Sequence, residues 1–279
     1  MNAAAALARA RALGLDRLDA QLLLARTLQR DRAWLLAHDD APLSATQQQA
    51  YATDCRRRAA GEPLAYVLGQ REFHGLRLEV GPAVLVPRAD TETLVDWALE
   101  RLAALPHAAP TVVDLGSGSG AIALAVKHAR PAASVCAVEL SPAALAIARR
   151  NADRLGLSVQ WLQGDWCQPL HGRRFDLVLS NPPYIAAGDP HLSALRHEPL
   201  LALSPGGDGL CALQHIVHTA SAHLAEGGWL LLEHGHDQAE AVRGMLMHAG
   251  FADVATRNDL AGHARCSGGR RRKAEPSGM

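Results

Sequence analysis

The chain changes hydrophobic rhythm twice. Over roughly its first sixty residues, apolar positions recur at helical spacing, as in "LDRLDAQLLLARTLQ", where Leu15, Leu18, Leu22 and Leu23 predict one apolar face. Asp31 is placed to cap a short helix through "RAWLLAH". Ser44 with Gln47 has capping-box spacing and predicts a helix running toward "RRRAA" that stops at Gly61 and Pro63. A small helical bundle is the expectation for residues 1–70. From Arg71 the pattern shortens to strand-like alternation in "REFHGLRLEV" and "AVLVP", which predicts a hairpin around Gly81–Pro82. "DTETLVDWALERLAAL" returns to helical spacing, and Pro106 to Pro110 reads as a linker, so residues 71–109 form a connecting segment.

After Pro110 strands and helices alternate. "TVVDL", "SVCAVEL", "VQWLQG", "FDLVLS" and "GGWLLLEHG" are predicted strands; "AIALAVKHA" and "SPAALAIARRNADRLG", with Pro142 in its first turn, are predicted helices. Further helices are expected near Leu210–Leu224 and Gln238–Ala249. This alternation predicts an α/β domain over residues 110–269: a parallel, doubly wound sheet covered on both faces. The tail "SGGRRRKAEPSGM" reads as disordered, with residues 270–279 assigned to it outright and its basic run read as a solvated end.

Bulk properties narrow the possibilities. At 279 residues the chain is long for one domain, and 48% apolar residues suffice for a substantial core. Lys plus Arg and Asp plus Glu each number 28, so no global positive field points to nucleic acid or a membrane surface. No apolar run is long enough to span a bilayer, and the start lacks a signal-peptide pattern. Cys55, Cys136, Cys167, Cys211 and Cys266 are scattered and lack a CxxC pair, the usage of reduced cytoplasmic thiols.

Chemistry gathers where predicted strands end. "VVDLGSGSGAIALAV" is a strand, a turn carrying Gly116, Gly118 and Gly120, and a helix, which lets a ligand approach the main chain. Its G-x-G-x-G spacing differs from the G-x-G-x-x-G of a pyrophosphate site. Glu139 ends the following strand, where a carboxylate commonly accepts from ribose hydroxyls; alone, it reads equally as a surface Glu. Asp165 could accept from an adenine amino group and Trp166 could cover a purine face, or the pair is a turn Asp beside a core Trp. In an open α/β sheet the carboxyl ends of successive strands meet at one crevice, which favours a shared nucleotide-like ligand.

The fourth such end is "FDLVLSNPPYI". Asn-Pro by itself can simply turn a chain. Beside the Gly loop it acquires a chemical reading. A planar amide or aromatic amine is a poor nucleophile whose N–H groups need acceptors in a dry site. The Asn181 side-chain oxygen and the Pro182 carbonyl, stiffened by Pro183, can accept from both N–H groups, while Tyr184 walls the apolar side. Positioning of this kind can supply about 7–11 kcal/mol of a barrier.

These motifs resemble those of the release factor glutamine methyltransferases of the HemK/PrmC type. The likeness covers nearly the whole chain and includes "RRRAAGEPLAYVLGQREFHG", "VLVPRADTETLVDWAL", "VVDLGSGSGAIALAV", "FDLVLSNPPYI", "HEPLLALSPGGDGL" and "GGWLLLEHGHDQ". It implies a helical bundle that docks the release factor, joined through a β-hairpin to a Rossmann-like methyltransferase sheet. It implies S-adenosylmethionine as methyl donor, with S-adenosylhomocysteine as product. The acceptor is the Gln amide of the Gly-Gly-Gln motif in bacterial class I release factors. The implied cofactor contacts are Asp114, Gly116, Ser117, Gly118, Ser119, Gly120, Glu139, Asp165, Trp166 and Asn181. Asn181, Pro182, Pro183 and Tyr184 are the implied catalytic and substrate-gripping residues. A cytoplasmic monomer is expected, with no membrane and no direct nucleic-acid substrate.

Ala89 stands where the family usually has a second proline, and Glu139 replaces a commoner Asp. Arg88, Asp90 and Glu92 precede a helix, where they could cap it or shape the substrate entrance. Two alternative acceptors share the chemistry: a ribosomal-protein glutamine, and an adenine amino group in DNA or RNA. The latter normally needs a basic surface and base-flipping contacts. A non-catalytic nucleotide-binding module would leave N-P-P-Y without purpose. No metal is expected, since neither "EHGH" nor Cys167 with His171 completes a zinc-like ligand set.

Overall fold

Side-chain caps set the helix starts of the first seventy residues. The computed structural model describes residues 1–272, and the chain divides into a unit Met1–Gln70 and a unit from Arg71 onward. In the first, helices α1 (Ala3–Ala12), α2 (Arg17–Leu28), α3 (Arg32–Ala37) and α4 (Ala45–Ala59) begin at Asn2, Asp16, Asp31 and Ser44. Each of those side chains accepts from a backbone N–H in the first turn, satisfying a donor that has no helical partner. Ser44 and Gln47 complete a reciprocal capping box. A short α5 (Leu64–Leu68) follows Pro63. The face buried by α2 is Ala20, Leu23 and Leu24, joined by Leu15; Leu18, expected on that face, is 47% exposed. Tyr51 fills the centre of this core and donates its hydroxyl to Ala20 O at 3.1 Å.

The second unit opens with a hairpin of β1 (Gln70–Phe73) and β2 (Leu76–Glu79), but its turn is not at Gly81–Pro82. It is the two-residue turn His74–Gly75, both left-handed at φ 48° and 78°, as a tight hairpin twisted like its strands requires. Glu92 accepts from His74 N at 3.0 Å and His74 Nε2 lies 3.0 Å from Asp96, which hold the turn to the following helix. "AVLVP" forms no strand; residues 83–87 run as irregular chain. A 3-10 turn at Ala89–Thr91 leads into α6 (Glu92–Ala103).

Next come β3 (Thr111–Leu115), α7 (Ala121–Ala129), β4 (Ser134–Glu139), α8 (Pro142–Leu155), β5 (Gln160–Gln163) and β6 (Phe175–Ser180). After them lie α9 (Leu200–Leu203), α10 (Cys211–Ala220), β7 (Leu224–Glu233), α11 (Ala239–His248), β8 (Ala252–Asn258) and β9 (Ala264–Arg270). Among the described residues seven strands make one sheet, ordered β5-β4-β3-β6-β7-β9-β8. The strands from β5 to β7 pair in parallel, which explains their near-continuous apolar sequences: both faces are covered. Val112, Leu177, Leu179 and Leu231 pack toward α6 and α7, while Val113, Leu115, Val178 and Leu230 pack toward α10 and α11.

Two corrections concern the far edge. The sheet is not wholly parallel, because β9 runs antiparallel to both β7 and β8. Ser267–Arg270, which the composition reads as the start of a disordered tail, are the end of β9; Lys273 to Met279 lie outside the described residues. The glycines there answer to packing. A Cβ on Gly268 would sit 2.6 Å from Leu230 O and 3.1 Å from the Trp97 ring, and one on Gly269 would sit 2.8 Å from Phe251 Cβ. Gly268→Ala should therefore cost about 1–3 kcal/mol, the range for an overfilled core. Urea unfolding measures it, and an unchanged midpoint would show that the strand has room to yield.

Candidate active site

The loop after β3 is built from left-handed glycines: Gly116, Gly118 and Gly120 have φ of 73°, 55° and 83°. Gly116 N and Ser117 N donate to Val138 O at 2.9 and 3.0 Å, which fastens the loop to the end of β4. Glu139, the last residue of β4, then takes hold of it. Its Oε2 accepts from Gly118 N and its Oε1 from Ser141 N, both at 2.8 Å. One carboxylate thus shapes the Gly loop and the start of α8, which Ser141 caps.

A cavity of about 430 Å³ opens over these strand ends. Gly116, Ser117, Gly118, Ser119, Glu139, Asp165, Trp166, Asn181 and Pro183 all line it. The sequence candidates from four successive strands therefore meet at one crevice. Trp166, itself left-handed at φ 43°, lays its ring against Gly116, where a Cβ would come within 3.1 Å. Leu140, Ser141 and Ala144 extend the wall beyond Glu139.

Four candidates stand elsewhere. Asp114 is fully buried and does not line the cavity; its Oδ2 accepts from Ala123 N at 3.2 Å in the first turn of α7. Strand alternation explains this, because Asp114 shares the α7-facing side of β3 with Val112. Burial pushes its carboxyl up to about 7, against the lowering effect of the Ala123 amide. Gly120 precedes α7, and a Cβ there would meet the Trp161 ring at 2.8 Å. Pro182 is buried. Tyr184 turns its hydroxyl away to Glu233 Oε1 at 3.2 Å, and its carbonyl accepts from Gln238 Nε2 at 3.0 Å.

The "PRADTE" residues, whose individual roles the sequence leaves open, divide cleanly. Arg88 pairs with Glu198 at 2.5 Å, and Glu198 also accepts from Val86 N at 3.0 Å. That buried glutamate ties residues 83–88 to the Pro199–Pro205 stretch, and both segments wall the cavity. Asp90 lies 3.6 Å from Arg265 on β9, which is also paired with Asp259 at 3.1 Å. Thr91 accepts from Asn181 Nδ2 at 3.2 Å, and Glu92 holds the hairpin turn. Sequence reasoning missed Glu198, Thr91 and Glu233; the two buried acids offered the only signal, a carboxylate inside an otherwise apolar run.

The cavity suits an adenosine-like ligand bearing a short polar tail. Its glycines give close access to backbone, Trp166 and Leu140 offer apolar cover, and carboxylates stand at two strand ends. Ser117 Oγ is buried without a protein partner, as expected of a group reserved for a ligand. Among the described residues no three His, Cys, Asp or Glu side chains gather as a metal site. His234 is occupied instead, 2.8 Å from Ser267 Oγ. No helix among the described residues is long and apolar enough to cross a membrane.

Comparison with known proteins agrees with this geometry. Residues 1–69 match the family model described as PrmC N-terminal domain, and residues 95–258 match that described as Methyltransferase small domain. A release factor glutamine methyltransferase from Xylella fastidiosa is 51% identical over 92% of this chain and 94% of its own length. One from Bordetella pertussis is 51% identical over 92% of this chain and 95% of its own. A methyltransferase structure from Pyrococcus furiosus, 18% identical, covers 82% of this chain and all of its own with a TM-score of 0.54, a likeness of fold. With half its residues shared along nearly its full length, the chain belongs to the release factor glutamine methyltransferase family.

Proposed function

We propose that this protein transfers a methyl group from S-adenosylmethionine to the side-chain amide nitrogen of the glutamine in the Gly-Gly-Gln motif of bacterial class I release factors. The observation that carries the reading is the meeting of Asn181 and Pro183 with the Gly116–Ser119 loop, Glu139 and Trp166 around one cavity. When bound, S-adenosylmethionine supplies an electrophilic methyl carbon on a sulfonium sulfur. The remaining work belongs to the chain.

The Gly loop and Glu139 hold the donor's polar groups, and Trp166 with Leu140 covers its base. Asn181 Oδ1 and the Pro182 carbonyl accept from the two N–H groups of the glutamine amide, which aims the face of its nitrogen into the cavity. Pro183 fills the wall beside it. Tyr184, held by Glu233 and Gln238, stiffens the segment from behind. Burial raises the Tyr184 hydroxyl above its ordinary range, aided by the Glu233 charge, so it stays protonated and acts as a donor. No strong base is needed beforehand, because the amide nitrogen becomes acidic once alkylated.

The helical unit of residues 1–70 is the release-factor docking module in this reading, the hairpin and α6 the connection, and the sheet the catalytic domain. The acceptor also implies a cytoplasmic enzyme, working as a monomer. A neutral overall charge gives no support to an adenine acceptor in nucleic acid.

Three outcomes test this. Glu139→Gln sets an N–H group against one of the two backbone donors it now serves, and should weaken S-adenosylmethionine binding at least about tenfold by calorimetry. Asn181→Ala should lower turnover on a release factor at least about tenfold while donor affinity falls less. Mass spectrometry of the Gly-Gly-Gln peptide reads this, with a Gln→Ala release factor and a DNA duplex as controls that should gain no methyl. A chain beginning at Arg71 should lose release-factor engagement by about tenfold or more while donor binding changes by less than about threefold. Equal losses in both would make the helical unit purely structural.

A further inference from the structure

A short chain of polar groups runs behind Asn181. Thr91, only 4% exposed on the turn that opens α6, accepts from Asn181 Nδ2 through its hydroxyl. On its other side is Glu233, the last residue of β7 and 1% exposed. The Thr91 hydroxyl acts on that carboxylate as a hydrogen-bond donor, although no atom meets strict bonding geometry at Glu233 Oε2. Glu233 Oε1 accepts from the Tyr184 hydroxyl. A single buried carboxylate therefore reaches both ends of the N-P-P-Y segment, through Thr91 to Asn181 and directly to Tyr184.

A threonine hydroxyl has one hydrogen to give. While it goes to the Glu233 carboxylate, Thr91 can only accept from Asn181. The Asn181 amide must then turn Nδ2 toward Thr91, which leaves Oδ1 for the substrate side. Rotated by half a turn, the same amide would set its own N–H groups against those of the glutamine.

We propose that Thr91 and Glu233 are positioning residues for methyl transfer: ionised Glu233 fixes the direction of the Thr91 hydroxyl, which locks Asn181 with Oδ1 facing the acceptor nitrogen. This rests on the reading that Asn181 holds the glutamine amide. A proton on Glu233 lets the chain reverse, so that Glu233 donates to Thr91, Thr91 donates to Asn181 Oδ1, and Asn181 Nδ2 faces the acceptor.

The groups around Glu233 make it the one that switches. Burial pushes its carboxyl up to about 7; Thr91, Arg265 on β9 and Tyr184 pull it down, and Asp90 pushes it up. Cys266, also on β9, is raised well above the usual thiol range and stays neutral, as does Tyr184. Asp114 titrates in the same region but sits beneath the Gly loop, where it would affect donor binding, not Asn181.

The test uses the full chain with saturating S-adenosylmethionine. Thr91→Val should lower kcat about tenfold, a barrier increase of about 1.4 kcal/mol, with the KM for release factor changing less than about threefold. Thr91→Ser should restore most of it. Wild-type kcat should fall as pH drops through the Glu233 value, and Glu233→Gln, of the same shape, should abolish that fall. Independently of activity, the nitrogen-15 signal of the Asn181 side-chain amide in substrate-free protein should titrate with a midpoint near 7, and lose that titration in Glu233→Gln. If Asn181→Ala is inactive while Thr91→Val keeps wild-type kcat, or if the Asn181 signal does not titrate, the positioning role is overturned and the methyl-transfer reading stands. If Asn181→Ala is fully active, the reading of the site itself fails.

Discussion

The Glu139 carboxylate holds together the two pieces of backbone from which the cavity is made. A glycine turn with three left-handed residues has no intrinsic reason to keep one shape, and the N-terminus of α8 could fray. Accepting from Gly118 N and Ser141 N at once removes both freedoms. It also leaves each carboxylate oxygen a further lone pair for a ligand. The longer Glu, where the family usually has Asp, is long enough to serve both amides from the end of β4. Trp166 against Gly116 and Trp161 against Gly120 then pack the loop from outside, so its conformation is fixed by bonds on one side and by rings on the other.

Behind the cavity the structure keeps polar groups that an ordinary core would exclude. Glu233, Arg265, Asp259 and Tyr184 share one poorly hydrated region, and Glu233 Oε2 and Asp114 Oδ1 lack full hydrogen bonding. Buried acids with displaced proton affinity are costly to a fold and concentrate where chemistry needs them. Their placement here is informative because they touch the segments that grip the acceptor, not the surrounding apolar layers. The pairing of Glu198 with Arg88 and Val86 N is different in kind. It joins two irregular stretches into a wall and leaves the reacting region to others.

The fold alone could serve many methyl acceptors, since strand-end crevices of this type recur with unrelated substrates. What narrows the choice is a neutral surface, an Asn-Pro-Pro-Tyr end suited to a planar nitrogen, and an N-terminal helical unit of the family's own type. None of these depends on the others, and each excludes a different alternative.

The sequence by itself determined whatever is decided within a few residues of chain. Caps at Asp31, Ser44 and Ser141, the ends of helices at glycines, the parallel strands from β3 to β7 and the Gly loop follow from local pattern and hydrogen bonding. The convergence of Gly116, Glu139, Asp165 and Asn181 was also legible, because strand ends in such a sheet share one side. Tertiary structure decided the rest. The hairpin turns at His74–Gly75 because only the paired strands select that pair over Gly81–Pro82. "SGGR" becomes a strand because Trp97, Phe251 and Leu230 leave room for nothing larger than glycine. Asp114 faces α7, and Asn181 meets Thr91 across ninety positions of chain. Contacts of that reach have no local signature: they exist only after the sheet has brought distant residues together, and the orientation of a single amide depends on them.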